Sequence, residues 1–220
     1  MQRILVVAAL AASLAVPGLA HAQAKGKSAE QVWNELYAKR EGVEHKFNKF
    51  LAESVRGRKP GRALDIGMGQ GRNALFLAAL GWDVTGFDFS EVAVRQAREE
   101  ARKRRLKLNA QVGDVDKYDY GKARWDLVVG MYMHDLITRN ADKIVVSLKP
   151  GGMLVIEGIH RDVAKANLQG KAYGHRTNDL LRVFGKLRVK HYEDTLSTAD
   201  WERSGGKPVP VVRMLAINQP

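Results

Sequence analysis

The sequence contains no cysteine. Thiol catalysis, cysteine-ligated zinc and disulfide bonds are therefore excluded, and the composition suits an oxidising compartment without proving one. The six histidines are scattered without the paired spacing of metal ligands, so no metal site is expected. Beyond the first 22 residues, no apolar run approaches the length of a membrane span, so none is expected there.

The first 22 residues have the three-part pattern of a secretory signal peptide. A basic start at Arg3 precedes an apolar run over residues 4–16, a Pro-Gly pair breaks that run, and Ala20-His21-Ala22 has the small-x-small form of a cleavage site. The run is too short to span a bilayer comfortably. We therefore expect residues 1–22 to be a signal peptide and the mature protein to be exported, periplasmic or secreted, with a buried helix or an uncleaved anchor as the alternative.

The formal net charge is +12, which favours anionic surroundings such as an envelope surface, nucleic acid or an acidic substrate. The densest basic run, residues 102–105, ends a predicted helix, where cations complement the helix dipole. It lacks the interleaved aromatic residues of a single-strand binding platform. A specific nucleic-acid partner is therefore not expected.

Apolar periodicity divides the rest of the chain into alternating strands and helices. Residues 28–55 are typical of two short amphipathic helices. Strands are predicted at residues 63–66, 83–88, 108–113, 125–131, 153–159, 187–192 and 209–217, and helices at residues 73–80, 91–105, 141–148 and 178–184. The pattern predicts an α/β protein with a Rossmann-like, seven-stranded, mostly parallel sheet, helices on both faces and an antiparallel C-terminal strand.

A glycine-rich loop joins the first predicted strand to the first helix of this sheet. Gly67, Gly69 and Gly71 lack Cβ atoms, so the backbone can adopt positive φ and lie directly against a ligand. The dinucleotide fingerprint spaces its glycines G-x-G-x-x-G, whereas the spacing here is G-x-G-x-G. A pyrophosphate-containing cofactor is therefore disfavoured.

Two carboxylates at consecutive strand ends narrow the choice of ligand. Asp65 precedes the glycine loop, where it would repel a pyrophosphate but suit an ammonium group. Asp88, at the carboxyl end of the next strand, is placed to accept hydrogen bonds from a ribose diol. Together they describe a ligand with a cationic amino-acid end and a ribose, and S-adenosylmethionine (SAM) has both.

The residues 63–97 resemble motifs I to II of the class I SAM-dependent methyltransferases. Within them, residues 69–74 and 81–88 are similar to the small-molecule branch that includes the tellurite-resistance methyltransferases. The likeness continues through residues 113–115, 125–128 and 148–152 and covers nearly the whole mature chain. It implies a helical lid segment over residues 23–58 and a methyltransferase domain over residues 59–220. Export is a departure, because the family is largely cytosolic.

The resemblance assigns one group of residues to the methionine and ribose parts of SAM. Gly67, Gly69 and Gly71 would approach the methionine part, and Asp65 would engage its amino group. Asp88 would bind the ribose.

The resemblance assigns a second group to the adenine side. Phe89 would pack near the adenine, and Asp114, with the backbone of Val115, would meet its amino edge. Met131, at the end of the fourth strand, would lie close to the cofactor.

The acceptor is expected at the carboxyl ends of the fourth and fifth strands, where sites in open α/β sheets collect. Tyr132 and His134 follow the fourth strand and are the catalytic candidates, with His134 as the base because imidazole titrates near neutral pH. His160 follows the fifth strand, and Tyr37 lies on the possible lid. The sequence predicts in-line methyl transfer to a small-molecule acceptor. It leaves open a nucleoside-binding module without activity, an NAD(P)-dependent oxidoreductase, and the oligomeric state.

Overall fold

The computed structural model describes residues 28–39, 46–164, 174–198 and 208–219. The predicted signal peptide lies outside these residues. The strands are β1 (Arg62–Ile66), β2 (Asp83–Asp88), β3 (Leu108–Val112), β4 (Trp125–Met131), β5 (Leu148–Ile159), β6 (Arg188–Thr198) and β7 (Pro208–Ile217).

The helices of the described residues lie between these strands and before β1. They are α1 (Ala29–Ala38), α2 (Lys49–Val55), α3 (Arg72–Ala79), α4 (Glu91–Lys103), α5 (His134–Arg139), α6 (Ala141–Ser147), α7 (Arg161–Ala164) and α8 (Asp179–Val183). Side-chain caps mark several starts, and Ser90, the N-cap of α4, accepts a hydrogen bond from the amide of Ala93. Ser28 and Gln31 form a reciprocal capping box at α1.

The seven strands form one sheet in the order β3-β2-β1-β4-β5-β7-β6. The first five pair in parallel, whereas β7 is antiparallel to both β5 and β6. The predicted fold class is confirmed. The strand order reverses between β1 and β4, which is the switch point where open α/β sheets bind ligands.

Alternate residues of the central strands face two separate apolar cores. Leu64 and Val128 belong to the core under α5, α6 and α8, and Ala63 and Leu127 belong to the core under α2, α3 and α4. Because both faces are covered, the strands are buried along nearly their whole length. Their carboxyl ends are thereby held in one rigid row.

Some element bounds differ from those predicted. β5 begins at Leu148, five residues before the predicted start, and continues through Pro150, Gly151 and Gly152. β6 extends to Thr198 through polar, partly exposed residues. α5 was not predicted and is only six residues long. Within the described residues, no helix combines the length and apolarity that crossing a bilayer would require.

Candidate cofactor and acceptor site

One cavity of about 800 Å³ opens at the carboxyl ends of β1 to β4 and is covered in part by α1. This volume lies within the range of roughly 300–1,000 Å³ that small-molecule sites occupy. All but one of the predicted site residues line it. Those that do are Asp65, Gly67, Gly69, Asp88, Phe89, Asp114, Val115, Met131, Tyr132 and His134.

The glycine loop at the base of the cavity leaves no room for side chains at two positions. Gly67 has φ +64° and Gly69 has φ +55°, in the left-handed region that favours glycine. A Cβ atom on Gly67 would lie 2.1 Å from Sδ of Met133, and one on Gly69 would lie 2.8 Å from the hydroxyl of Tyr37. These glycines therefore keep the backbone exposed to the cavity and let the wall opposite approach closely.

Gly71 is not among the cavity-lining residues. It caps the start of α3 with φ +83°, and a Cβ there would meet Cβ of Ala97 at 3.0 Å. The third glycine thus permits α3 and α4 to pack closely, so its predicted contact with the cofactor stays a prediction.

Asp65, at the end of β1, carries a buried oxygen that the protein leaves unused. The residue is 2% exposed, and its Oδ2 accepts no hydrogen bond from the described residues. Burial raises the pKa of this carboxyl to about 7, although Arg72 and the amide of Ala74 act in the opposite direction. A buried, unsatisfied carboxylate oxygen is costly, so it marks a place where a cationic donor is missing.

Asp88, at the end of β2, is held by backbone amides. Its Oδ2 accepts from Gly69 at 3.0 Å and its Oδ1 from Ser90 at 2.9 Å. Burial raises the pKa of the Asp88 carboxyl, and these two hydrogen bonds oppose the rise. Each oxygen retains further lone pairs, so the fixed carboxylate can also accept from a vicinal diol.

The wall beyond Asp88 combines an apolar surface with an ion pair at the rim. Phe89 and Val115 line it, and Asp114 lies beside them with one oxygen bound to the amide of Asp116. Asp116 accepts both ends of the Arg139 guanidinium, which joins the loop after β3 to α5. The Arg139 hydrogen bond chiefly holds the pKa of Asp116 at about 2, so this pair is charged at all physiological pH values.

The helix α1 closes the cavity from above. Asn34 accepts a hydrogen bond from the hydroxyl of Ser90 at 2.5 Å, and the carbonyl of Tyr37 accepts from the side chain of Gln96. Gln96 in turn accepts from Gln70 in the glycine loop. The predicted lid is thus bonded to the two loops that carry the predicted cofactor contacts.

The loop after β4 forms the wall opposite the glycine loop and is backbone-strained. Tyr132 has φ +60° and His134 has φ +38°, a conformation that costs of order 1–3 kcal/mol for residues other than glycine. The hydroxyl of Tyr132 donates to Oε1 of Glu157 at 2.6 Å. The structure therefore places both catalytic candidates at the cavity, in conformations that their surroundings must enforce.

Both ring nitrogens of His134 are enclosed by the protein. Its Nε2 accepts from the amide of Ile159 at 3.2 Å, and its Nδ1 is buried within the protein. Burial holds the pKa of His134 well below its usual range, with His175 and Arg161 acting in the same direction. The imidazole is therefore neutral at physiological pH. A role for His134 as base stays a prediction that would require the ring to move.

The two other residues considered for the acceptor end differ in their position relative to the cavity. Tyr37 lines the cavity from α1, whereas His160 does not line it and bonds Thr177 at 3.1 Å. Within the described ranges, no cluster of three or more histidine and carboxylate side chains could hold a metal ion.

The residues present fit SAM on two observations. The orphaned Oδ2 of Asp65 suits the ammonium group of its amino-acid end, and Gly67 and Gly69 line the cavity with backbone that carries no side chain of its own. Asp88 would hold the ribose hydroxyls. The cavity stays open in the folded chain, as a bound nucleoside requires.

Sequence reasoning missed several residues that complete the cavity. Met133 covers Gly67, and Arg139 fixes Asp116, but both stand on or beside a helix too short to give a periodic signal. Trp33 and Leu36 line the cavity from α1, where their spacing had indicated only an amphipathic face.

Comparison with known proteins bears on the same region. Residues 63–152, from β1 into β5, match the Methyltransferase domain family. Over 80 residues the chain is 31% identical to the probable S-adenosyl-L-methionine-dependent methyltransferase TehB of Haemophilus influenzae, a match that covers 36% of this chain and 28% of that protein. It is also 39% identical over 178 residues to Hemagglutinin 1 of Eikenella corrodens, covering 76% of this chain and 57% of that protein. The chain thus matches little more than half the length of Hemagglutinin 1 and less than a third of the length of TehB.

Solved structures share the fold. The crystal structure of TehB from Haemophilus influenzae superposes with a TM-score of 0.66 at 19% identity, over 86% of this chain and 67% of that one. Geranyl diphosphate C-methyltransferase from Streptomyces coelicolor, in complex with S-adenosyl-L-homocysteine, superposes with a TM-score of 0.60 at 16% identity, over 77% of this chain and 76% of that one. At these identities the likeness establishes the architecture alone.

Proposed function

We propose that this chain, which carries a class I SAM-dependent methyltransferase domain, binds SAM in the cavity at the ends of β1 to β4 and transfers its methyl group to a small molecule. The observation that carries the proposal is the buried, unsatisfied Oδ2 of Asp65 beside the bare glycine backbone. A carboxylate of this kind is destabilising unless a cation meets it. Asp88, fixed by two amides, supplies the matching site for a ribose.

The contribution of the protein to the reaction is alignment and exclusion of water. When bound, SAM supplies an activated methyl group for in-line displacement. The loop after β4 and the helix α1 enclose the space beside it, and holding two reactants in line can contribute several kcal/mol. Met131, Tyr132 and Met133 form the wall from which an acceptor would be held.

Three titratable side chains on the loop after β4 and at the start of α5 are already bonded within the protein. His134 directs both ring nitrogens into the protein, and the hydroxyl of Tyr132 is committed to Glu157. Asp135 is paired with Arg161. The proposed reaction therefore uses an acceptor atom that is nucleophilic without help from the enzyme, such as a thiolate, a selenium or tellurium anion or an unprotonated amine.

The experiment is calorimetry followed by turnover. Folded protein should bind S-adenosylhomocysteine with a micromolar dissociation constant, and Asp88→Ala should abolish binding because the ribose loses its fixed acceptor. Labelled SAM should then give methylated product with at least one member of a panel of thiol, selenium, tellurium and amine acceptors. The pH dependence of the rate should follow the ionisation of the acceptor, and its shape should be the same in the His134→Gln variant. Absence of any binding by the folded protein would refute the proposal.

The same experiment decides between enzyme and binding module. Binding without turnover on the whole panel would favour a nucleoside-binding module. A thermal melt in which NAD(P) stabilises the protein and SAM does not would favour an oxidoreductase.

Export is a separate part of the proposal and rests on the pattern of the first 22 residues alone. In a bacterial host, the full chain should appear in the periplasmic fraction shortened by about that segment. Leu10→Asp together with Leu14→Asp, which breaks the apolar run, should retain it unprocessed in the cytoplasm. N-terminal sequencing of the mature product checks the cleavage position after Ala22.

A further inference from the structure

A single buried carboxylate stands behind the acceptor wall. Glu157 on β5 is completely buried, and its Oε2 accepts from Nε of Arg213 on β7 at 2.6 Å. Its Oε1 accepts from Nδ2 of Asn48 at 2.7 Å and from the hydroxyl of Tyr132 at 2.6 Å. Both oxygens of the carboxylate therefore have partners among the described residues, and of these partners Tyr132 lines the cavity.

Tyr132 is held by Glu157 twice. Its amide donates to the carbonyl of Glu157 at 2.7 Å, and its hydroxyl donates to the carboxylate of the same residue. Tyr132 also has φ +60°, which a bulky residue adopts only where the surroundings over-determine it. The two bonds to one neighbour supply that constraint.

The position of Glu157 is itself fixed by its ion pair with Arg213 on the neighbouring strand. Arg213 also donates to Glu193 on β6 at 3.0 Å, and its guanidinium is largely buried. Since the antiparallel pairing brings Glu157 and Arg213 directly opposite each other on neighbouring strands, the pair cannot shift along the sheet. The charge at residue 157 is thereby compensated and immobile.

We propose that Glu157 is a positioning residue for methyl transfer, which holds Tyr132 in its strained conformation and so sets the acceptor wall against the glycine loop. The proposal rests on the proposed function, since the wall matters only if an acceptor meets it. The link to the cofactor side is short. Met133 follows Tyr132 and packs its sulfur over Gly67, so any relaxation of Tyr132 moves the side chain that covers the loop. A displacement of about 1 Å in such a wall can cost on the order of a hundredfold in rate.

The kinetic test compares two variants with a matched control. Tyr132→Phe removes one hydroxyl and leaves Glu157 paired with Arg213 and Asn48, so it should fold. Glu157→Gln neutralises the carboxylate. Each should lower kcat at saturating acceptor by about tenfold and change the dissociation constant of S-adenosylhomocysteine less than twofold. Glu193→Gln also removes a carboxylate from Arg213 but does not touch Tyr132, and it should leave both quantities unchanged.

The double variant identifies the route of the effect. If Glu157 acts through the Tyr132 hydroxyl, Glu157→Gln should lower kcat less than twofold further when added to Tyr132→Phe. Additive losses, or a normal kcat in Tyr132→Phe, would overturn the proposal.

A second readout does not require activity. In protein labelled with ¹³C at the methionine methyl groups, the Met133 signal, assigned from a Met133→Leu variant, reports on the wall directly. It should shift or broaden in Tyr132→Phe and in Glu157→Gln, and stay in place in Glu193→Gln. An unmoved Met133 signal in both variants would overturn the positioning role even in an active enzyme. A wild-type protein that binds no S-adenosylhomocysteine but shows these shifts would refute the proposed function and keep the coupling between Glu157 and Tyr132.

Discussion

The two halves of the cavity treat their polar side chains in opposite ways. At the ends of β1 and β2, Asp65 leaves an oxygen without a partner and Asp88 is fixed but keeps acceptor capacity. At the ends of β4 and β5, Tyr132 is bonded to Glu157 and His134 to Ile159. The first half therefore keeps acceptor capacity for a polar ligand, whereas the second commits the Tyr132 hydroxyl and Nε2 of His134 to protein partners.

The two halves should therefore respond differently to substitution. Removing a group from the cofactor half should change binding of the nucleoside. Removing one from the acceptor half should change the rate with binding intact. Three substitutions test this expectation, and they are given in order of decreasing expected effect.

The strongest test adds a side chain to the bare loop. Gly69→Val should weaken S-adenosylhomocysteine binding by more than about 100-fold, or ~2.7 kcal/mol, because the new Cβ enters the cavity where it meets Tyr37. The matched control is Gly57→Val. Gly57 has a similar φ of +71° with nothing within 4 Å of the added atom, so it should lose comparable stability of about 1–3 kcal/mol and bind normally. Calorimetry and urea unfolding measure the two quantities. Equal binding losses in both variants would mean that strain alone is responsible.

An intermediate effect is expected from Asp65→Asn, which removes the anion and keeps the shape. Affinity for S-adenosylhomocysteine at pH 7.5 should fall about tenfold, because the ammonium group loses its counter-charge. In the wild type, affinity should rise from pH 5 to pH 7 as the carboxyl, whose pKa is about 7, ionises. The variant should show no such rise.

The same carboxyl has a signature in stability without ligand. The pKa of Asp65 is higher in the folded state than in the unfolded state, so the folded state binds more protons between pH 4 and pH 7 and its stability contribution falls as pH rises through that window. Relative to the wild type, the free energy of unfolding of Asp65→Asn should therefore increase by a few kcal/mol, at most about 4, as the pH rises from 4.5 to 7.5. Asp83→Asn, at a largely exposed carboxylate, should show no such gain. A constant difference between Asp65→Asn and the wild type would contradict the buried-charge interpretation.

The smallest effect is expected at the lid. Asn34→Ala removes the bond to Ser90 and should weaken nucleoside binding two- to fivefold, or about 0.5–1 kcal/mol, since α1 is then held less firmly over the cavity. Glu35→Ala, at an exposed position on the same helix, should bind as the wild type does. Titration calorimetry resolves the difference. Equal affinities of the two variants would show that the Asn34–Ser90 bond does not contribute to nucleoside binding.

Local patterns in the sequence were sufficient for most of the sheet. β2 and β4 have the predicted bounds, because short apolar runs flanked by turn residues leave little freedom in a parallel sheet. α5 was missed since six residues carry no periodic signal and no capping side chain. The extension of β6 was missed since an edge strand needs no apolar alternation to pair with β7.

For the site, the sequence by itself determined that three glycines and two carboxylates meet at adjacent strand ends, because parallel strands place successive carboxyl ends in one row. It also contained a weaker signal in Glu157, the one carboxylate of β5, which follows a run of apolar residues. Which of their atoms form hydrogen bonds within the protein depends on the tertiary structure. Arg213 bonds Glu157 across the antiparallel β5–β7 pair, the amide of Ile159 bonds His134, and none of the described residues bonds Oδ2 of Asp65. Hydrogen bonds between residues far apart in the chain depend on sheet register and backbone dihedrals, and these are properties of the assembled fold.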